Sequence, residues 1–181
     1  AEVLTGKVNP SGRRTETFPL SLSDVPSESA YRDEAVMLYS EGLNVGYRYF
    51  DTFRVPVLFS FGYGLSYSKF EYSGLSVEKE GGEVKVRFTI ENISDKDGKE
   101  VAQVYVREIT KEVYRPNKEL KAFRKVFVRA HEKATVVMEL DESAFAYYSV
   151  AKDRWTVKPG LFEIIIAANV QEEKLLAKIV L

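Results

Sequence analysis

Apolar and polar residues alternate along residues 84–90. Val84, Val86, Phe88 and Ile90 fall on one side of an extended chain, and Lys85, Arg87 and Thr89 on the other. The pattern returns at 134–140, where Ala134, Val136, Met138 and Leu140 interleave with Thr135 and Glu139. Period two predicts half-buried strands at both places. Further strands are expected at 100–107, 120–129, 154–157, 161–168 and 174–181, separated by turn-forming stretches such as the Asn-, Ser-, Asp- and Gly-rich 91–99 and the pair Pro159 and Gly160. From Glu71 onward, about seven strands in roughly 110 residues predict a mainly β fold, an immunoglobulin-like β-sandwich.

The first 65 residues follow another rule. They open with Pro, Ser and Gly, allow a short helix over 29–39, and then carry an aromatic run with glycines over 47–67, without a sustained period of 2 or 3.6. This reads as an extended arm. A structureless segment this long is unusual inside a compact domain, and its rings (Tyr31, Tyr39, Tyr47, Tyr49, Phe50, Phe53, Phe59, Phe61, Tyr63 and Tyr67) need covering. The arm is therefore expected to pack on something outside itself.

Charge narrows the partners. The 181 residues hold 26 basic and 27 acidic side chains, for a formal net charge of −1, so neither nucleic acid nor an anionic membrane is expected as a partner. With no cysteine and a single histidine, His131, there are no disulfides or thiolate chemistry and the usual zinc sites are missing. No metal or cofactor is expected. The compartment is not fixed by these features.

Four motifs carry a resemblance. Asn9, Pro10, Ser11, Gly12 and Arg13, with Glu16, Thr17, Phe18 and Pro19, form the first. The second comprises Tyr39, Glu41, Gly42, Val45, Gly46, Tyr47, Arg48, Tyr49, Phe50 and Asp51. Phe61, Gly62, Tyr63, Gly64, Leu65, Ser66 and Tyr67 make the third, and Arg115, Pro116, Lys118, Glu119, Leu120 and Phe123 the fourth. In this order they resemble signatures in the C-terminal part of family 3 glycoside hydrolases, the β-glucosidase type. The departures are Arg14 and Thr15 for Leu-Pro, Ala122 where Gly is common, and Ala130 with His131 for a Pro-Gly turn; the last bears on geometry, because Gly accepts positive φ at little cost.

The resemblance implies a division of the chain. Residues 1–12 would be the tail of an α/β sandwich domain, 13–65 an interdomain arm, and 66–181 a fibronectin type III-like domain. It also implies that the catalytic nucleophile and the acid/base lie upstream, so no catalytic, cofactor-binding or metal residue is assigned in this chain. The expected role is that of an accessory segment stabilising domain packing, with the remainder of the parent enzyme as partner and a terminal β-D-glucoside as the parent's substrate, hydrolysed with retention. The alternative is a free-standing carbohydrate-binding or adhesion module.

Glu41 and Asp51 flank an aromatic segment that could line a sugar site, but Asp51 pairing Arg48 or capping a turn is the plainer expectation. Trp155 is expected in the core. Asn92, Ile93 and Ser94 form a glycosylation sequon in an expected surface turn. His131 stands apart from any triad partner and is expected exposed.

Overall fold

The computed structural model describes residues 1–28, 36, 39–110 and 112–181. The arm contributes strand β1 (Phe18–Pro19), strand β2 (Val57–Phe59) and, between them, helix α1 (Tyr47–Thr52). The rest is built from β3 (Phe70–Glu80), β4 (Glu83–Asn92), β5 (Gly98–Glu108), β6 (Glu119–Val128), β7 (Lys133–Leu140), β8 (Tyr147–Ser149), β9 (Arg154–Thr156), β10 (Leu161–Ala167) and β11 (Glu173–Val180). A three-stranded sheet in the order β3-β4-β7 faces a four-stranded sheet in the order β11-β10-β5-β6, and every pairing is antiparallel. This is the fibronectin type III-like arrangement.

The period-two residues make its core. Val84, Val86, Phe88 and Ile90 of β4 meet Val136, Met138 and Leu140 of β7, and across the sandwich Ala102, Val104 and Val106 of β5 and Phe162, Ile164 and Ile166 of β10. In register, Phe88 lies opposite Val136 and Ile164 opposite Val106. Burial of such side chains contributes roughly 1.5–3 kcal/mol each.

Strand β10 is apolar on both faces. Its other set, Ile165 and Ala167, forms a second core with Tyr105 and Val170 on the outside of the four-stranded sheet. Tyr47, Phe61 and Leu120 pack onto it. The arm therefore folds back on the sandwich of its own chain. The unbroken run Ile164, Ile165 and Ile166 is the sequence mark of a strand covered on both sides.

Three other expectations change. The strand at 154–157 is not part of the sandwich: β9 pairs only with β8 in an outlying hairpin, and the seventh sandwich strand is β3, an edge strand interrupted by a bulge between Ser73 and Ser76. Trp155 consequently stands 70% exposed and is not in the core. The short helix α1 was not anticipated, since six residues are too few to display a 3.6 period. The helix expected over 29–39 falls almost wholly outside the described residues.

Candidate functional site

The four motifs meet in pairs and fasten the arm to the sandwich. The first meets the third. Asn9 accepts from the Tyr67 backbone N–H at 2.9 Å and donates to Ser68 Oγ and the Asp97 carbonyl, both at 2.8 Å. Backbone bonds run from Arg14 N–H to the Tyr63 carbonyl and from Gly62 N–H to the Arg14 carbonyl, each 2.8 Å. Gly64 lies so close to Gly12 that a side-chain carbon there would overlap the Gly12 carbonyl. Here glycine is needed for backbone-to-backbone approach.

Arg13 completes this contact by pairing with the buried Glu100 at 2.5 Å, while the Tyr72 hydroxyl donates to the other Glu100 oxygen at 3.0 Å. Burial pushes the Glu100 carboxyl above its ordinary range in spite of Arg13.

The second motif meets the fourth. Tyr47 of α1 stacks on Phe61 at 4.6 Å and its hydroxyl accepts from the Leu120 N–H at 2.8 Å. Asp51 accepts from the Asn117 amide at 2.8 Å and pairs with Lys118 at 3.3 Å, not with Arg48. Lys118 reaches on to Glu173 at 2.6 Å, and Glu173 to Arg107 at 2.7 Å. Arg48 instead pairs with Glu119 at 3.3 Å, beside Arg115 at 2.6 Å and Lys121 at 3.6 Å. Burial alone would push Glu119 up; the Arg115 hydrogen bond and the charges of Lys121, Arg115 and Arg48 outweigh it and hold the carboxyl below its usual range. Burial also draws Lys121 down.

Lys121 occupies its place because of a bulge. Val104 pairs with Ala122 and Tyr105 with Leu120, which leaves Lys121 as the extra residue of β6.

These contacts fasten the arm to the sandwich. Asp51 is committed to Asn117 and Lys118, and Glu41 lies in the turn that precedes α1, its carbonyl accepting from Asn44 at 3.0 Å. The sequon asparagine does not lie in a surface turn. Asn92 is fully buried, and its side-chain amide donates to the Lys96 and Val128 carbonyls at 2.8 and 3.1 Å, so the folded chain hides the acceptor nitrogen. His131 is exposed, at φ 59°, 2.8 Å from Asp95.

A cleft of about 900 Å³ opens between the β8–β9 hairpin and the start of β6. Trp155, Tyr148 and Tyr114 stand along it, with Glu119, Arg48 and Lys121 also in its lining. Nothing in the period-two pattern distinguished Trp155 from a core residue; only its place on a three-residue strand hinted otherwise.

The comparisons with known proteins agree with both regions. Residues 1–67 match the family described as Glycosyl hydrolase family 3 C-terminal domain, and residues 100–170 the Fibronectin type III-like domain. Thermostable beta-glucosidase B of Acetivibrio thermocellus is 46% identical over 174 residues, covering 93% of this chain and 23% of its own. An exo-alpha-(1->6)-L-arabinopyranosidase of Bifidobacterium longum is 42% identical over 171 residues, with the same two coverages, 93% and 23%. Among solved structures, the GH3 beta-glucosidase of Bifidobacterium adolescentis superimposes with a TM-score of 0.96 at 40% identity, over 100% of this chain and 27% of that one. Beta-glucosidase 3B from Thermotoga neapolitana, in complex with glucose, gives 0.92 at 40% identity, over 99% and 26%.

The chain thus spans about a quarter of the length of the relatives it matches. That relation favours an accessory segment over a free-standing module. Both family descriptions fall in chain order on the arm and the sandwich, and the motif pairs explain why the two travel together: the chain belongs to the family 3 glycoside hydrolases, as their C-terminal region.

Proposed function

We propose that this chain is the non-catalytic C-terminal segment of a β-glucosidase-type enzyme, in which it holds neighbouring domains together. In this reading residues 1–12 are the tail of an α/β sandwich domain, 13–65 the interdomain arm and 66–181 the fibronectin type III-like domain. The parent hydrolyses terminal β-D-glucosides with retention, through two carboxyl groups supplied upstream. Retaining chemistry needs that pair roughly 5–5.5 Å apart across the bond, and the arm's Asp51 is already tied to Lys118 and Asn117.

The observation that carries the proposal is the set of leucines that residues 1–65 leave exposed. Tyr47 and Phe61 cover the sheet, whereas Leu4, Leu20, Leu22, Leu58 and Leu65 are each more than half exposed. Apolar area on this scale marks a contact surface, and the remainder of the parent enzyme is the partner that fits it. Relatives named for glucosides and for an arabinopyranoside share this segment at 46% and 42% identity, which supports a role other than choosing the sugar.

The test compares this chain with one extended upstream, assayed with an aryl β-D-glucoside. The expected result is turnover by the extended protein and none by the chain alone. Hydrolysis that stays with the 181-residue chain through rigorous purification would overturn the proposal.

A further inference from the structure

In the cleft beside the β8–β9 hairpin, Trp155 and Tyr148 take no part in fastening the arm. Trp155 is 70% exposed and meets Tyr148 nearly at right angles, 80° between planes and 5.8 Å between centroids. The hydroxyl of Tyr148 is anchored by Asp153, so the ring behind the indole is held in place. Tyr114, on the other side, is tied to the arm through Asn44 at 2.7 Å. A large, flat, supported ring that remains in water is a platform without a load, and its apolar face is offset by few contacts of its own.

The polar groups of the cleft say what kind of load would suit it. In its lining, Glu119 is ion-paired with Arg48, Arg115 and Lys121. Glu142 and Arg154, also in the lining, have no side-chain partner among the described residues. One accepts and the other donates. A sugar presents hydroxyls that can meet both and C–H faces that lie on an indole. Concave sites lined by aromatic rings with a few convergent polar groups are those that hold small molecules.

We infer that this cleft binds a neutral β-gluco-oligosaccharide, stacked on Trp155 and hydrogen-bonded by Glu142 and Arg154. The sugar class rests on the reading of the parent as acting on β-glucosides; the platform does not. The cleft would retain a chain of sugar units near the enzyme and leave the choice of bond to other parts.

Trp155 is the only tryptophan in the chain, so its emission reports this cleft and nothing else. Titration of the 181-residue chain with cellotetraose or laminaritetraose should change that emission saturably, at concentrations of about 0.1–10 mM for a single stacked platform. By calorimetry Trp155→Ala should weaken binding at least about tenfold and Arg154→Ala by a few-fold, with the melting temperature of both variants close to that of the parent chain because the side chains are exposed. No saturable change with either sugar, or equal affinity in Trp155→Ala, would overturn the inference. So would loss of acrylamide quenching at Trp155 in the upstream-extended protein, which would mean that the rest of the polypeptide covers the cleft. Aryl-glucoside turnover by the extended protein is scored separately: turnover without sugar binding at Trp155 defeats this inference alone, and binding without turnover defeats only the proposed activity.

Discussion

The sandwich core and the arm pack on opposite faces of one sheet but are held by different means. On the inner face of the four-stranded sheet, Val104, Val106, Ile164 and Ile166 are interchangeable members of a large apolar set, facing β4 and β7. On the outer face, a few specific contacts hold the arm: the Tyr47–Phe61 stack, the Tyr47 hydroxyl on Leu120 and the ion pair of Asp51 with Lys118, while Asn9 on Tyr67 and the Arg13–Glu100 pair fasten it elsewhere on the sandwich. The inner face draws its stability from area, which tolerates volume-conserving exchange. The outer face depends on geometry, and a buried ion pair adds little net stability while its disruption is costly. The same sheet can therefore be robust on one side and brittle on the other.

The sharpest break in this contrast should come from the inner face. Phe88→Ala removes a fully buried ring and is expected to lower global stability by about 3–5 kcal/mol, read as a shift of the urea midpoint with arm and sandwich unfolding together. Lys118→Ala comes next, at about 3 kcal/mol, because Asp51 and Glu173 lose their shared cation; hydrogen exchange should rise first over α1. Gly64→Ala is expected to cost about 1–3 kcal/mol by forcing the two backbones apart. Its exchange signature would be confined to 9–16 and 60–67, leaving 84–90 protected, and equal exposure of both would erase the distinction between the faces.

The smallest effect is that of acid. Glu119 and Glu173 both titrate below their ordinary values in the folded chain, Glu173 because Lys118 and Arg107 outweigh its burial. Groups lowered in this way contribute stability above the unfolded carboxylate value, near pH 4.3, and lose it as pH falls through the folded value. The arm should loosen before the sandwich as the solution passes below about pH 4, by under about 1 kcal/mol for each partly exposed pair. Arm exchange that is flat between pH 6 and 3.5 would speak against this role for the two carboxylates.

The difference in means also explains what the chain disclosed before folding. Strands β4 and β7 were plain because one face of each is wet, so polar residues had to alternate with apolar ones. Strand β3 was obscure because it is a bulged edge with few buried positions. Asn92 appeared as a surface turn residue, since side chain-to-backbone bonds to Lys96 and Val128 leave no trace in a local pattern. The arm's motifs were recognisable as motifs, but their meeting in pairs was not, because the partners of Asn9, Asp51 and Ser11 lie 58 to 114 residues away, beyond the reach of any periodic rule. Trp155 illustrates the opposite error: hydrophobic character suggested burial, while an outlying hairpin keeps it in water.

One contact has a consequence for how this region can change over time. The bond between Asn9 and the Tyr67 N–H joins residues 58 positions apart, so most of the arm is a loop whose two feet stand together on the sandwich. The entropy of closing such a loop grows only with the logarithm of its length, by about 0.6 kcal/mol for each doubling. Extra residues, even a folded unit whose own ends are close, could be accepted within the loop while its feet and the sheet beneath keep their places. The arm is thus the part of this chain where length can vary most cheaply.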